Sequence, residues 1–417
     1  MLGFALLAAL SQTLVLAGGT IVDVRDSGRS AGDIRDSVVV IREGHIVAAG
    51  ARKKTKIPAG ANVIRIDGAY VLPGLNDVFA GLNSQAQANA YLYMGVTSIV
   101  GSDEPGGQRG ALFTAANPSP RIRRLGAISD PKEIDELARN RVEVLLIYYP
   151  MKADQTRLAV RRARELGLAA IGELGETTYT EAIEAGVDAF IHSSRYALEL
   201  ASPQMHSEVA KAPFGPPRTA FYQFLADLDP DSAVVTKWGA RLAAGRVALI
   251  PTLSLYYLDL PVHENPWKEP IAAILDPKDI HLPADRETGQ APHAPGIPAV
   301  LSPNVLRIEE RYRRAGARYL AGSGTSAFGT LPGISLHNEL RMLTDIGLTP
   351  RQAIAAATSN PSEVFRWRNV GQIKAGYDAD VLVVDADPTA DIRNLKKIRL
   401  VIHNGRIIDR DALLKSH

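Results

Sequence analysis

The feature that most constrains this chain is a change of texture along it. The long central part alternates short apolar runs with helical patterns. Examples are GVTSIVGS (95–102), VEVLLIYY (142–149), the charged amphipathic ADQTRLAVRRARELG (153–167), LAAIGEL (168–174), TYTEAIEAG (178–186) and VDAFIHSS (187–194). Strand, helix and strand in repeating order build parallel β/α units. The flanks read differently. LVLAGGTIVDV, SVVVIREGHIVAAG and ANVIRIDGAYVLPG at one end, and ADVLVVDADP and RLVIHNGRIID at the other, are β-branched runs broken by turn residues. That is the pattern of short antiparallel strands. The expected class is α/β: a (β/α)8 TIM-like barrel over 73–366, for which roughly 250 residues is typical. A small β-sandwich domain is expected from 14–72 together with 367–417.

Within the barrel region, 200–305 is Pro-rich and irregular, with stretches such as APFGPPRTAFYQF and LDLPVHENPWKEP. Long connections in compact domains are often functional, and in a β/α barrel the loops after the strands form the active face. The region is therefore expected to be a lid insertion carrying Phe221, Tyr222, Tyr256, Tyr257 and Trp267, or else a poorly ordered insert. The start, MLGFALLAALSQT, resembles the apolar core and cleavage site of a secretory signal. It lacks a basic residue before the apolar run, and a packed N-terminal extension is the other reading of 1–13. A cleaved leader implies a periplasmic or secreted protein; an uncleaved one implies a cytoplasmic protein. No later stretch has the run of apolar residues that a membrane span needs. With 47 basic and 45 acidic residues the net charge is +2. This balance gives no clustered basic face for nucleic acid. There is no cysteine, which excludes disulfides, thiolate metal sites and a cysteine nucleophile.

Eight segments, in order, carry a resemblance: LVLAGGTIVD, IREGHIVAAG, VLPGLNDVFAGL, YLYMGVTSIV, EAIEAGVDAFIH, PGISLHNELRMLTDIGLTPRQAIAAATSNPSEVF, GQIKAGYDADVLVVDADP and VIHNGRIID. Their sequence and spacing resemble the amidohydrolase superfamily, in its imidazolonepropionase- and prolidase-like branch. The resemblance implies a hydrolase of C–N bonds in a small amide, lactam or dipeptide-like molecule. It also implies zinc or another divalent metal held at the strand ends, where a bound water becomes the nucleophile. The departures fall on those ligands. By the resemblance, Phe79 and Gly81 stand at the strand 1 histidine pair, Leu146 at the bridging lysine, Glu173 at the next histidine and Gly324 at the strand 8 aspartate. His192 matches the remaining histidine. A zinc site takes about three protein ligands, and this set offers His192 with Glu173. Asp77, Asp103 and Glu104 are further carboxylates expected near the mouth.

Glu173 and His192 are thus the candidate catalytic pair, a carboxylate and an imidazole able to exchange protons without a metal. Arg195, Tyr196 and Tyr148 are candidate substrate-binding residues, with Tyr149 beside them. Ser323 and Thr325, with Ser326, are candidates because a hydroxyl next to a base can act as a nucleophile. Each has a plainer reading: an ion-pair cluster, a Gly-rich turn, or core aromatics. His337 and Glu339, two apart on a helix, face different ways and do not share a metal. His206, His263, His281 and His293 lie in the insert without ligand spacing, the last two near Asp279 and Asp285. Two functions remain open. One is an acid–base enzyme on a small molecule; the other is a non-catalytic amidohydrolase-like protein that binds a ligand or pairs with an active relative. A homo-oligomer is a further expected partner state.

Overall fold

The computed structural model describes residues 13–102, 115–292, 297–298 and 300–415. Eight strands form one parallel sheet in chain order: Leu75–Gly81, Val96–Ser102, Arg121–Ile128, Val142–Ile147, Ala169–Gly172, Ala189–Ile191, Ala248–Ile250 and Arg318–Tyr319. They are barrel strands 1 to 8 below. The sheet closes on itself. Val78 N–H donates to the Ala321 carbonyl at 3.0 Å and Gly324 N–H to the Phe79 carbonyl at 2.8 Å, with a parallel bridge between Ala80 and Thr325. Several of these strands are near-continuous apolar runs because both faces are covered. One face fills the barrel interior with Val78, Val100, Val144, Leu146, Ile171, Ile191 and Ile250; the other packs against the helices.

The helices follow from spacing and caps. In Ala153–Glu165, Thr156, Ala159, Val160 and Ala163 are buried, at i, i+3, i+4 and i+7. Arg157, Arg161 and Arg164 face solvent. Helix Tyr179–Ala185 opens with a capping box of Thr178 and Glu181 and stops at Gly186, whose φ of +85° suits glycine.

The terminal segments make two sheets. One orders His45–Ala51, Ser37–Arg42, Leu14–Ala17 and Asn62–Arg65; the other orders Arg406–Ile407, Ile398–His403, Val381–Val384, Tyr70–Pro73 and Thr20–Ile21. Leu16, Val39, Ile41, Val71, Val381, Val383 and Ile402 form a core shared by the two sheets, which gives the expected small sandwich. Two of its pairings are parallel rather than antiparallel, Leu14–Ala17 with Asn62–Arg65 and Thr20–Ile21 with Tyr70–Pro73. The chain between those partners carries other strands and returns from the same end. Arg351, in the barrel's helix Pro350–Ala356, binds Asp33 of the sandwich through two nitrogens at 2.6 and 2.9 Å.

The expected single lid over 200–305 is not what forms. The segment contains helices Pro203–Lys211, Pro216–Asp227 and Ala233–Ala244, then barrel strand 7, and only after that a run of 3₁₀ turns up to helix Leu301–Ala315. Pro203 and Pro216 begin helices, where a missing N–H costs nothing. Val235, Trp238, Gly239 and Leu242 form a buried helical stripe. Two separate loop regions, after strands 6 and 7, therefore cover the mouth. The apolar leader lies outside the described residues up to position 12. Among the described residues no helix is long and apolar enough to cross a membrane.

Candidate active site in the barrel mouth

The strand ends open onto a cavity of about 520 Å³. Phe79 and Gly81 reach it from strand 1, Tyr148 from strand 4, Glu173 from strand 5, His192 from strand 6, and Gly324 and Thr325 from strand 8. Helix Pro216–Asp227 covers it with Arg218 and Tyr222, and the turn after strand 7 adds Leu255 and Tyr256.

Glu173 and Arg195 form an ion pair at 3.0 Å with both side chains about one-tenth exposed (10% and 11%). Tyr149 donates to the same carboxylate oxygen at 3.2 Å. The Arg195 guanidinium lies 4.8 Å from the Tyr149 ring and 5.4 Å from Phe214, two rings that themselves meet edge-on at 6.1 Å. Burial works against its charge, and Glu173 more than restores it, so its proton is held more firmly than in water.

His192 follows strand 6 with φ +61°, a conformation costing of order 1–3 kcal/mol. It is held there by its N–H on the Ile250 carbonyl at 2.9 Å and by Arg195 N–H on its own carbonyl at 2.7 Å. Its Nδ1 lies 2.8 Å from Thr252 Oγ1. The Thr252 hydroxyl donates to the Pro251 carbonyl at 2.7 Å. A hydroxyl has one proton, so Nδ1 is the donor in the first bond and the lone pair sits on Nε2. Phe79 packs edge-on against the ring at 5.1 Å. Burial pulls the imidazole down to about 4, opposed by Glu173 and assisted by Arg195 and Arg218. At neutral pH it is an uncharged proton acceptor. Burial, then Glu173, pushes the Tyr148 phenol up, which keeps it a hydrogen-bond donor.

The side chains present do not fit the divalent centre that the resemblance implies. A Cβ at Gly81 would lie 2.9 Å from the Thr325 carbonyl oxygen. A Cβ at Gly324 would meet Leu255 at 2.9 Å, on a backbone with φ +65°. The space for those ligands is filled. Among the described residues no three His, Asp or Glu side chains are grouped to hold an ion. Asp77 is fully buried beneath the floor, its Oδ1 accepting from Ser323 N–H at 2.8 Å. Asp103 and Glu104 lie outside the described residues, as does His293.

Several expected site residues are elsewhere. Leu146 is in the barrel interior, 1% exposed; Tyr148, two residues on, is the strand 4 side chain at the mouth. Tyr196 turns away and donates to the buried Glu309 at 2.7 Å. It shares a four-residue helical turn with Arg195, and neighbours on a helix point apart. Ser323 is buried one layer below Thr325, with their hydroxyls in contact. Of the expected lid aromatics, Tyr222 and Tyr256 line the cavity. Phe221 is in the core, Tyr257 accepts from Glu264 N–H, and Trp267 donates to the Ala284 carbonyl. His206 contacts the Gly175 carbonyl, His263 the Glu264 carbonyl and His337 the Met94 carbonyl. His281 packs on Phe328, and Asp285 caps its own turn. Glu339 accepts from Ser254 N–H at 2.7 Å. The residues that sequence reasoning missed are Thr252, Leu255 and Arg218. The last had a signal, since positions 218, 221, 222 and 225 lie on one helical stripe with Phe221, Tyr222 and Leu225.

Residues 261–408 match the model of the amidohydrolase family. A putative prolidase from Bifidobacterium longum superposes over 97% of this chain and 99% of its own, with a TM-score of 0.62 and 21% identity. The family match covers about a third of the chain, and over nearly its whole length the chain shares the fold of this solved protein. A bottromycin amidohydrolase superposes over 96% of this chain and 88% of its own, with a TM-score of 0.68 and 17% identity. Molinate hydrolase does so over 98% and 97%, with a TM-score of 0.63 and 17% identity. At these identities the superpositions establish the fold. In sequence, an adenine deaminase from Geobacillus kaustophilus is 37% identical over 75 residues, 18% of this chain and 13% of that protein. The match therefore spans about an eighth of that relative's length.

Proposed function

We propose that this chain acts on a C–N bond of a small amide or dipeptide-like molecule held in the barrel mouth, with His192 as the proton-transfer group. The observation that carries the reading is the His192–Thr252–Pro251 chain of hydrogen bonds, which leaves Nε2 as an acceptor on a residue that lines the cavity. In this reading Nε2 takes a proton from the attacking water as it adds to the carbonyl carbon. It returns that proton to the nitrogen that leaves. Tyr148 O–H is the donor to the carbonyl oxygen, where negative charge develops. The Glu173–Arg195 pair forms the wall beside His192; in it the Glu173 carboxylate lowers the cost of the transient imidazolium and the Arg195 cation raises it. Proteins sharing the fold, a putative prolidase and molinate hydrolase among them, support a hydrolytic reaction.

A second reading is favoured by the apolar fill of the ligand positions by Phe79 and Leu255. In it, the same pocket binds its molecule without turning it over. The test is a panel of dipeptides, N-acyl amino acids and lactams incubated with the full chain and read by mass spectrometry, with and without a chelator. The expected result is turnover indifferent to the chelator and reduced at least ~100-fold by His192→Asn, within the range for removing a general base. The rate should be flat from pH 8 down to about 5 and fall below about 4, where the imidazole takes up a proton. Turnover abolished by the chelator, or unchanged in His192→Asn, refutes the assignment. Binding with no product across the panel selects the second reading.

A further inference from the structure

We propose that Arg218 is the anchor for a carboxylate group of the bound molecule, so that the pocket selects small organic anions. This inference deepens the reading of the mouth as the binding site, and it holds or fails separately from catalysis.

Arg218 is 4% exposed and lines the cavity. None of its three side-chain nitrogens has a hydrogen-bond partner. A guanidinium carries five N–H donors and no acceptor, and a buried charge without a partner is costly. The rings of Phe221 at 5.4 Å and Tyr222 at 5.1 Å give it cation–π contacts, which offset part of the charge and accept none of the donors. The Tyr222 oxygen lies near the guanidinium without completing a hydrogen bond to it. Burial pushes this phenol up, and the nearby charges of Arg218, then Arg195, with polar contacts from Arg218 and Ser194, bring it down. The carboxylates that line the same cavity are engaged elsewhere: Glu173 holds Arg195 and Tyr149, and Asp259 accepts from Ser302.

The helix adds a second argument. Arg218 sits in the first turn of Pro216–Asp227, where the helix dipole disfavours a cation. Backbone donors are not available at that turn either. Pro216 and Pro217 carry no N–H, and those of Arg218 and Thr219 both donate to the Gly215 carbonyl at 3.0 and 3.1 Å. The guanidinium is thus the donor set that this end of the helix offers to the cavity. Its planar fork matches the two oxygens of a carboxylate. The largely apolar remainder, with Phe79, Phe214, Leu255 and Phe328, suits an organic body attached to that carboxylate.

The experiment uses the full chain with a panel of N-acetyl amino acids, their primary amides of the same shape, and inorganic phosphate, read by thermal shift and titration calorimetry. A charged hydrogen bond of this kind corresponds to roughly ten- to hundredfold in affinity. The expected result is that at least one acid binds tighter than its amide by about that factor. Arg218→Met is expected to abolish the preference while leaving the melting temperature of the free protein equal or higher, because an unpaired buried charge has been removed. A merely structural arginine would lower it. Arg218→Lys should retain part of the preference. Equal binding of acids and amides, no binding of any acid, phosphate matching the acids, or a preference that survives in Arg218→Met overturns the proposal. Acid preference without turnover sinks the hydrolase reading and leaves the anchor standing; turnover without acid preference does the reverse.

Discussion

Replacing Arg195 by methionine isolates the energetics of the mouth. The substitution keeps an unbranched apolar side chain against Tyr149 and Phe214 and removes the charge 3.0 Å from Glu173. At an effective dielectric constant near 20, two unit charges at that distance attract by about 5–6 kcal/mol. Desolvation of the arginine opposed this in the wild type and disappears with it. What remains is a carboxylate with 10% of its side chain exposed and the Tyr149 hydroxyl as its remaining donor. Breaking a buried pair on one side costs about 3–5 kcal/mol, and that is the expected loss at pH 7. Adding Glu173→Gln removes the stranded charge and keeps an acceptor for Tyr149. The double variant should return to within about 1–2 kcal/mol of wild type, since buried pairs exchanged for neutral groups are often near neutral. Equilibrium urea unfolding, followed by circular dichroism and fluorescence, measures all four corners of the cycle. A loss below about 1 kcal/mol for Arg195→Met, or simple additivity in the double variant, would show that the pair is screened by water and that the wall beside His192 is not held by it.

Two other substitutions test the floor and the rim. Burial holds the Asp77 carboxyl up at about 7 against an ordinary value of 3.8, with hydrogen bonds from Ser323 and Phe79 opposing. The unfolded chain gives up this proton at lower pH than the folded one. The stability contributed by this group is therefore complete below about pH 4 and is lost as pH rises through 7. Asp77→Asn should flatten the fall in unfolding free energy between pH 4 and pH 8 by roughly 4 kcal/mol, at 1.36 kcal/mol per pH unit; an unchanged slope contradicts the assignment. Gly81→Ala forces a Cβ to 2.9 Å from the Thr325 carbonyl and should cost about 1–3 kcal/mol as an overpacking change, read as a lower urea midpoint; a neutral result would mean that the strand 8 end yields freely.

The barrel was legible because both-face burial writes itself into runs such as VEVLLIYY, and the sandwich because its strands are short and turn-bounded. Depth was harder to read than face. Leu146 and Tyr148 point the same way, as do Ser323 and Thr325, since side chains two apart share a side of a strand. Periodicity names that side but not the layer at which the barrel ends, so the mouth was placed one layer too deep at strand 4. Tyr196 failed for a different reason: it follows Arg195 within one short helical turn, where adjacent side chains point apart. The region 200–305 was misjudged because proline was read as a breaker where it opens helices. His192 was found through the resemblance, which matches it to a histidine of the family. Its tautomer was not, because Thr252 lies 60 residues away in sequence. Arg218 was passed over because arginine on an apolar stripe is ordinarily a long side chain reaching for solvent, and only the fold shows that it reaches the cavity.

The carbonyl of Thr325 and the side chain of Leu255 do more than close off space at Gly81 and Gly324. They set the order in which change can happen here. A histidine placed at 81 collides with main chain before it can meet an ion, and an aspartate at 324 displaces a leucine while adopting a backbone angle that glycine alone takes easily. Each substitution alone lowers stability, and neither alone supplies enough donors to recover it through binding. Building a metal site into this mouth therefore takes both substitutions together with a shift of the strand 8 end and of the turn bearing Leu255.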